Sequence, residues 1–446
     1  MNQLPRGNEI GELIDRGRLS ARQVGVIFLC GLVVLLDGYD IQTMALAVPS
    51  LRMEWGLEAS AFSYALSASV FGMLVGTALV APHGDTLGRR PLLIAATLIM
   101  GLASIATAFS ETPAELIGWR FLTGLGLGVS LPNATALTSE YVPRRNRAFL
   151  IALMFVSIAL GALLAGMTAP ALIGAFGWRS IFFVGGAFPL LWSLLLLAFI
   201  PESIRLLVAQ RPGDPRIARI ARRFLPGIDP ATLYVRAEDH VERQSVRALF
   251  APQFASRTVL LWIVFALNLF VLFVLISWLP TILGDAGWTP PQALRGAVVI
   301  QAGGIVGGLI IARLVDRGRV LGAMLGGYLT AAAAVTLCLV LPATVPNWTV
   351  LLLLVGAGIS GTQAALTALS AIFYPPSLRA TGAGWASSCG RAGAVLAPLA
   401  GGIVMRELAL GPAQQLALLI PPILMSSACV MLLSRAWQEA PEASAR

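Results

Sequence analysis

Apolar runs of about twenty residues recur along this chain, separated by short polar breaks, from near residue 24 to near residue 434. At ~1.5 Å of rise per residue, a helix of that length crosses the ~30 Å hydrocarbon core of a bilayer. The pattern predicts twelve spans, at 24–48, 60–82, 91–110, 115–137, 148–172, 179–200, 257–283, 292–315, 320–341, 347–373, 379–405 and 414–434. A closed barrel would instead alternate in pieces of ~10 residues. The longest polar stretch, from about Pro201 to Arg257, divides the spans six and six. The predicted organisation is an N-terminal tail (1–23), a six-helix bundle (24–200), a connecting segment (201–256), a second six-helix bundle (257–434) and a C-terminal tail (435–446). Within the connecting segment, 216–224 reads either as an amphipathic helix on the membrane surface or as part of a solvated linker.

Composition agrees. The chain is 57% hydrophobic and 12% charged, against roughly 25% charged residues in a soluble domain. The net charge of +9 raises nucleic acid as a partner, but the distribution of charge excludes it. All 31 basic residues are arginine, and ten of them lie in 201–257. Others cluster before the first span and after the second, fourth and eighth, while the alternate loops hold only Arg52 and Arg406. This is the positive-inside asymmetry, which puts both termini in the cytoplasm. The first 22 residues are polar and charged, so no cleavable signal is expected. Cys30, Cys338, Cys389 and Cys429 all fall in apolar spans without metal-ligand spacing, and His83 and His240 fall in predicted loops. No intramembrane metal or haem site is expected, and no cofactor.

The halves echo each other. Asp85-Thr86-Leu87-Gly88-Arg89-Arg90 follows span two, and Asp316-Arg317-Gly318-Arg319 follows span eight. Pro143 precedes Arg147-Ala148 after span four, as Pro375-Pro376 precedes Arg379-Ala380 after span ten. A duplicated six-span unit is how many secondary transporters build two related conformations around a central site.

The costly charges lie inside the spans. Asp37 and Asp40 sit three residues apart on one helical face of span one, and ionisable groups at membrane depth mark functional sites. Counted at ~1.5 Å per residue, Asp37 and Asp40 lie about 20 and 24 Å from the cytoplasmic end, with Arg120 at about 20 Å and Arg391 at about 18 Å. Two acids and two arginines from three spans are therefore expected at one level. Arg391 is the candidate for holding a substrate carboxylate, because its planar fork suits that group. Asp37 and Asp40 are candidates for a proton carrier. Arg120 is either the switch that binds and releases that proton or a fixed counter-ion. Gln42, Asn268 and Gln301 are placed to orient substrate hydroxyls, with Asn133 and Gln363 nearer the cytoplasmic mouth. Tyr39, Phe71, Phe273 and Trp385 are placed to stack an aromatic ring or simply to pack. In the loops, Asp85, Arg89 and Arg90, with Glu140, Arg144, Arg145 and Arg147 and the second-half counterparts Asp316 and Arg317, form a candidate cytoplasmic gate. Gly124, Gly126 and Gly128 permit close packing of span four.

These motifs carry a resemblance. Gly84-Asp85-Thr86-Leu87-Gly88-Arg89-Arg90 is similar to the loop between spans two and three of the major facilitator superfamily, departing from its pattern at Ala81 and Thr86. Arg120-Phe121-Leu122-Thr123-Gly124-Leu125-Gly126-Leu127-Gly128 is similar to that family's fourth span. A narrower resemblance, to the aromatic acid:proton symporters of the superfamily, rests on several pieces in order. They are Asp37-Gly38-Tyr39-Asp40, Leu131-Pro132-Asn133, Leu137-Thr138-Ser139-Glu140-Tyr141, Ser277-Trp278-Leu279-Pro280, and Arg379-Ala380-Thr381-Gly382-Ala383-Gly384-Trp385 leading to Gly390-Arg391. The resemblance implies an all-α, twelve-helix integral membrane protein of the bacterial inner membrane. It implies no enzymatic activity, and import of a hydroxybenzoate, protocatechuate or phenylpropionate type of carboxylate with the proton as coupling ion. Such a protein is expected to act as a monomer in the lipid bilayer. The alternatives are proton-driven efflux of amphipathic compounds, which does not need an anion-binding arginine at 391, and a non-transporting membrane sensor.

Overall fold

The computed structural model describes residues 8–17, 19–235, 246–374, 376–408 and 410–438. The spans are Ala21–Trp55, Ala59–Leu87, Arg89–Ala108, Pro113–Tyr141, Arg144–Phe176, Arg179–Phe199, Ala255–Asp285, Pro290–Asp316, Val320–Val340, Val345–Phe373, Pro376–Glu407 and Pro412–Ser434. Among the described residues, eleven helices are long and apolar enough to cross a membrane. Span four, with 29 residues, matches them in length but carries Glu115, Arg120 and Glu140.

Several spans run longer than the apolar pattern indicated, because capping groups extend them past the hydrocarbon. Span one begins at a capping box, in which the Ser20 hydroxyl accepts from the Gln23 amide N–H at 3.3 Å and the Gln23 side chain accepts from the Ser20 N–H at 2.7 Å. It stops at Gly56, in the left-handed region at φ 63°. Span two is less regular and contains a π-turn at Gly76–Val80.

The packing repeats. In the first half, span one packs on five, two on four, and three on four and six; in the second half seven packs on eleven, eight on ten, and nine on ten and twelve. Between halves, one packs on seven, two on eleven, and five on eight. Three described contacts between the halves lie toward the face opposite the termini. The Ser67 hydroxyl donates to the Val395 carbonyl at 3.1 Å, Gly402 abuts Ser63, and Gly166 abuts Val298.

Over 201–235 the connecting segment is folded onto the protein and is not a solvated strap. Its helix Pro215–Phe224 buries Ile217, Ile220 and Ala221 against the protein, in one apolar cluster with Val26, Leu137, Tyr141, Ile200 and Leu207. The N-terminal segment joins this cap: Ile10 and Ile14 enter the same cluster, and β1 (Asn8–Glu9) pairs in parallel with β2 (Leu233–Tyr234). Most of the mixed-charge run, 236–245, lies outside the described residues, as do the side chains of Asp316, Arg379 and Ala380 and the C-terminal residues 439–446.

Candidate functional site

Glycines bring spans one, two, four and five close enough for their charges to meet. A side chain at Gly38 would strike the backbone of Ile158, and one at Gly124 the backbone of Ser69. The Gly124 approach sets Ser69 one turn from Arg120. Arg120 is fully buried, and its guanidinium donates to both oxygens of fully buried Asp40, at 3.0 and 2.8 Å. It also donates to the Ser69 hydroxyl at 3.2 Å and lies over the Phe182 ring at 5.8 Å. A void of about 20 Å³, lined by Ser69, Arg120, Phe273 and Ser277, separates this pair from span seven of the other half.

Asp37 is held differently. Its carboxyl, 3% exposed, accepts from the Ser130 hydroxyl at 2.5 Å. Its other oxygen has no described partner, and no described cation pairs with it. Keeping a charge buried on one hydroxyl is expensive, whereas a two-armed arginine supports it.

The expected convergence at one level is therefore corrected. Asp40 and Arg120 meet, but Arg391 joins neither acid. It lies half-buried on the wall of a separate cavity of about 660 Å³ toward the termini face, with Leu74, Thr77, Ser388 and Trp385. Among the described residues no carboxylate pairs with Arg391. Trp385, 44% exposed, stacks on Trp262 with ring centroids 5.8 Å apart and planes 20° apart. Thr77 bonds across to span four, donating to the Gly128 carbonyl at 2.8 Å.

The other ring and hydroxyl candidates do not line that cavity. Tyr39 is buried in the first half, its ring 3.3 Å from the position of a Cβ on Gly185. Gln42 is buried with its Oε1 unpartnered. Asn268 donates to Gln363 at 2.7 Å, the two amides meeting across spans seven and ten. Gln301 is half-buried in span eight. Phe71 lies beside Phe121 on the exposed side of span two.

The gate candidates form bonds within the first half instead of bridging the halves. Arg89 pairs with Glu140 and, at 3.1 Å, with Asp85. Arg90 donates to the Leu197 carbonyl at 2.6 Å. Arg144 pairs with Asp15 at 3.2 Å, Arg145 donates to the Gly17 carbonyl at 2.8 Å, and Arg147 donates weakly to the Val142 carbonyl at 3.4 Å. Arg317 is exposed. Gly88 is required by its backbone, at φ 114°, and by the Glu202 carboxylate, 2.5 Å from where its Cβ would stand. That carboxylate accepts the backbone N–H groups of Arg89 and Arg90 at 3.0 and 3.2 Å, an anion at the start of span three.

The sequence model of the Major Facilitator Superfamily matches residues 30–438. The chain belongs to that superfamily. It is similar to a 4-hydroxybenzoate transporter of Pseudomonas aeruginosa, at 35% identity over 436 residues that make up 95% of each chain. It is similar to a gallate transporter of Pseudomonas putida, at 34% identity over 411 residues, 89% of each chain. Its fold is similar to the solved structure of a bacterial homologue of the human lysosomal transporter Spinster, inward-facing and occupied. That match has a TM-score of 0.70 at 15% identity and covers 95% of this chain and 99% of that one. The protein is thus a multi-pass membrane transporter and not an enzyme. Four residues of this facilitator escaped the sequence reading: Ser130, which bonds Asp37, Ser69, which accepts from Arg120, Glu202, which anchors the loop motif, and Trp262, which supports Trp385.

Proposed function

We propose that this facilitator imports aromatic carboxylates into the cytoplasm with protons, by alternating access. The single observation that carries the reading is Arg391, a half-buried guanidinium without a described carboxylate partner, on a wall it shares with Trp385. Such a wall offers a fork for a carboxylate and a face for a ring. The names of the similar transporters, for 4-hydroxybenzoate and gallate, point the same way. The arginine-rich loops favour the termini face as cytoplasmic. On that orientation, the Arg391 cavity lies toward the cytoplasmic side.

In this reading Asp37 carries the proton. The Asp40–Arg120 pair keeps spans one and four together, and Asp37 is free to gain and lose a proton through Ser130 as the halves rock. The test is uptake of radiolabelled 4-hydroxybenzoate into proteoliposomes under an imposed pH gradient. Accumulation that follows the gradient and collapses with an uncoupler supports the proposal. Uptake indifferent to the gradient, or driven by sodium instead, overturns the coupling.

A further inference from the structure

A second cavity lies on the face opposite the termini. It has a volume of about 390 Å³ and is lined by Pro49, Arg52, Met53, Ile173, Asp285 and Trp288, among others. Small-molecule sites run from ~300 to 1,000 Å³, so the space is adequate for a single-ring acid. Its walls come from both halves: spans one and five on one side, seven and eight on the other.

On its lining Arg52 Nη1 meets Asp285 Oδ1 at 3.2 Å, with the two side chains 33% and 40% exposed. This ion pair joins the halves. The pairs at Arg89, Arg120, Arg179 and Arg406 each stay within one half. It is also a weak tie, because it uses one contact between partly hydrated groups. Arg52 is therefore available to a better-shaped anion, and a free carboxylate can offer both oxygens to the guanidinium. The rest of the wall suits the ring. Trp288 is fixed by its indole N–H, which donates to the Ala343 carbonyl at 3.0 Å, and Met53 and Leu57 are exposed beside it.

We infer that this cavity is an outer binding site for the aromatic carboxylate, in which the substrate takes Arg52 from Asp285. Substrate arrival then unties the one-to-seven contact, so that opening of the outer face is linked to cargo. The inference rests on the aromatic-carboxylate reading above.

The two partners predict opposite effects. Asp285→Asn leaves Arg52 without its competitor, and the KM for external 4-hydroxybenzoate falls about three- to tenfold. Arg52→Gln removes the anion site, and that KM rises at least about tenfold, with Arg52→Lys in between. Initial uptake rates in intact cells, compared at equal surface expression, measure this. A mere strap would respond in one direction to loss of either partner. Equal shifts of the same sign, or no shift in either variant, overturn the outer site while leaving the import reading standing. Absence of aromatic acid uptake by the wild type overturns both.

Discussion

Arg120 grips Asp40 through both arms of its guanidinium, while Asp37, one turn earlier on the same helix, has among the described residues only the hydroxyl of Ser130. One acid is locked and the other is not. Asp37→Asn is expected to abolish proton-driven accumulation while leaving the melting temperature of the purified protein close to wild type. Asp40→Asn strands a buried arginine, at a cost of about 3–5 kcal/mol, and is expected to lower that temperature clearly. Gradient-driven uptake and thermal unfolding of both variants, side by side, check the division. A stable Asp40→Asn variant would contradict it.

Arg391 is expected to set affinity. Losing one charge-assisted carboxylate contact costs about 1.5–3 kcal/mol, which corresponds to a roughly 10- to 150-fold rise in KM. Arg391→Ala should show that rise for 4-hydroxybenzoate at equal expression. Arg391→Lys should recover part of it, since the charge returns without the planar fork.

Two glycines of span four should behave in opposite ways. A Cβ at Gly124 strikes the Ser69 backbone, whereas one at Gly118 meets nothing within 4 Å. Gly124→Ala is expected to destabilise by about 1–3 kcal/mol and, by shifting Ser69, to loosen Arg120. Gly118→Ala should be neutral, or stabilising by up to ~1 kcal/mol, as alanine is the better helix former. Thermal unfolding of the pair in one detergent decides this.

The cap has its own pH dependence. Asp214 caps the helix Pro215–Phe224, and the Arg216 side chain and backbone N–H hold its carboxyl down at about 2. A depressed carboxyl stabilises the fold fully above its ordinary value, and that support is lost as pH falls toward about 2. The protection of amides across 215–224, measured relative to their intrinsic exchange rate at each pH, should therefore fall between about pH 5 and pH 2.5 in the wild type. In Asp214→Asn that protection should be lower at about pH 5 and change less.

Much of the architecture was legible because a bilayer leaves few options: apolar runs of the right length must be helices, and the Asp85 and Pro143 echoes exposed the repeat. The Asp40–Arg120 pair was legible for the same reason, since charges at that depth need company. The depth count went wrong at Arg391, because matching height along two helices does not place them side by side. Arg391 belongs to the other half, across a cavity. The count also hid Ser130. Ten residues separate it from Arg120, about 15 Å along the helix, yet both serve neighbouring acids. The long reach of an arginine side chain spans what a Cα count treats as separation. The fold of the connecting segment was hidden too, because its apolar residues are few and find partners only on the finished underside of the first half.

The pairing of Asn8–Glu9 with Leu233–Tyr234 carries a consequence for biosynthesis. The first strand leaves the ribosome before any span exists, and its partner emerges only after the sixth span has been made. The cap can close only after the chain has been made past the sixth span, so its closure follows completion of the first half.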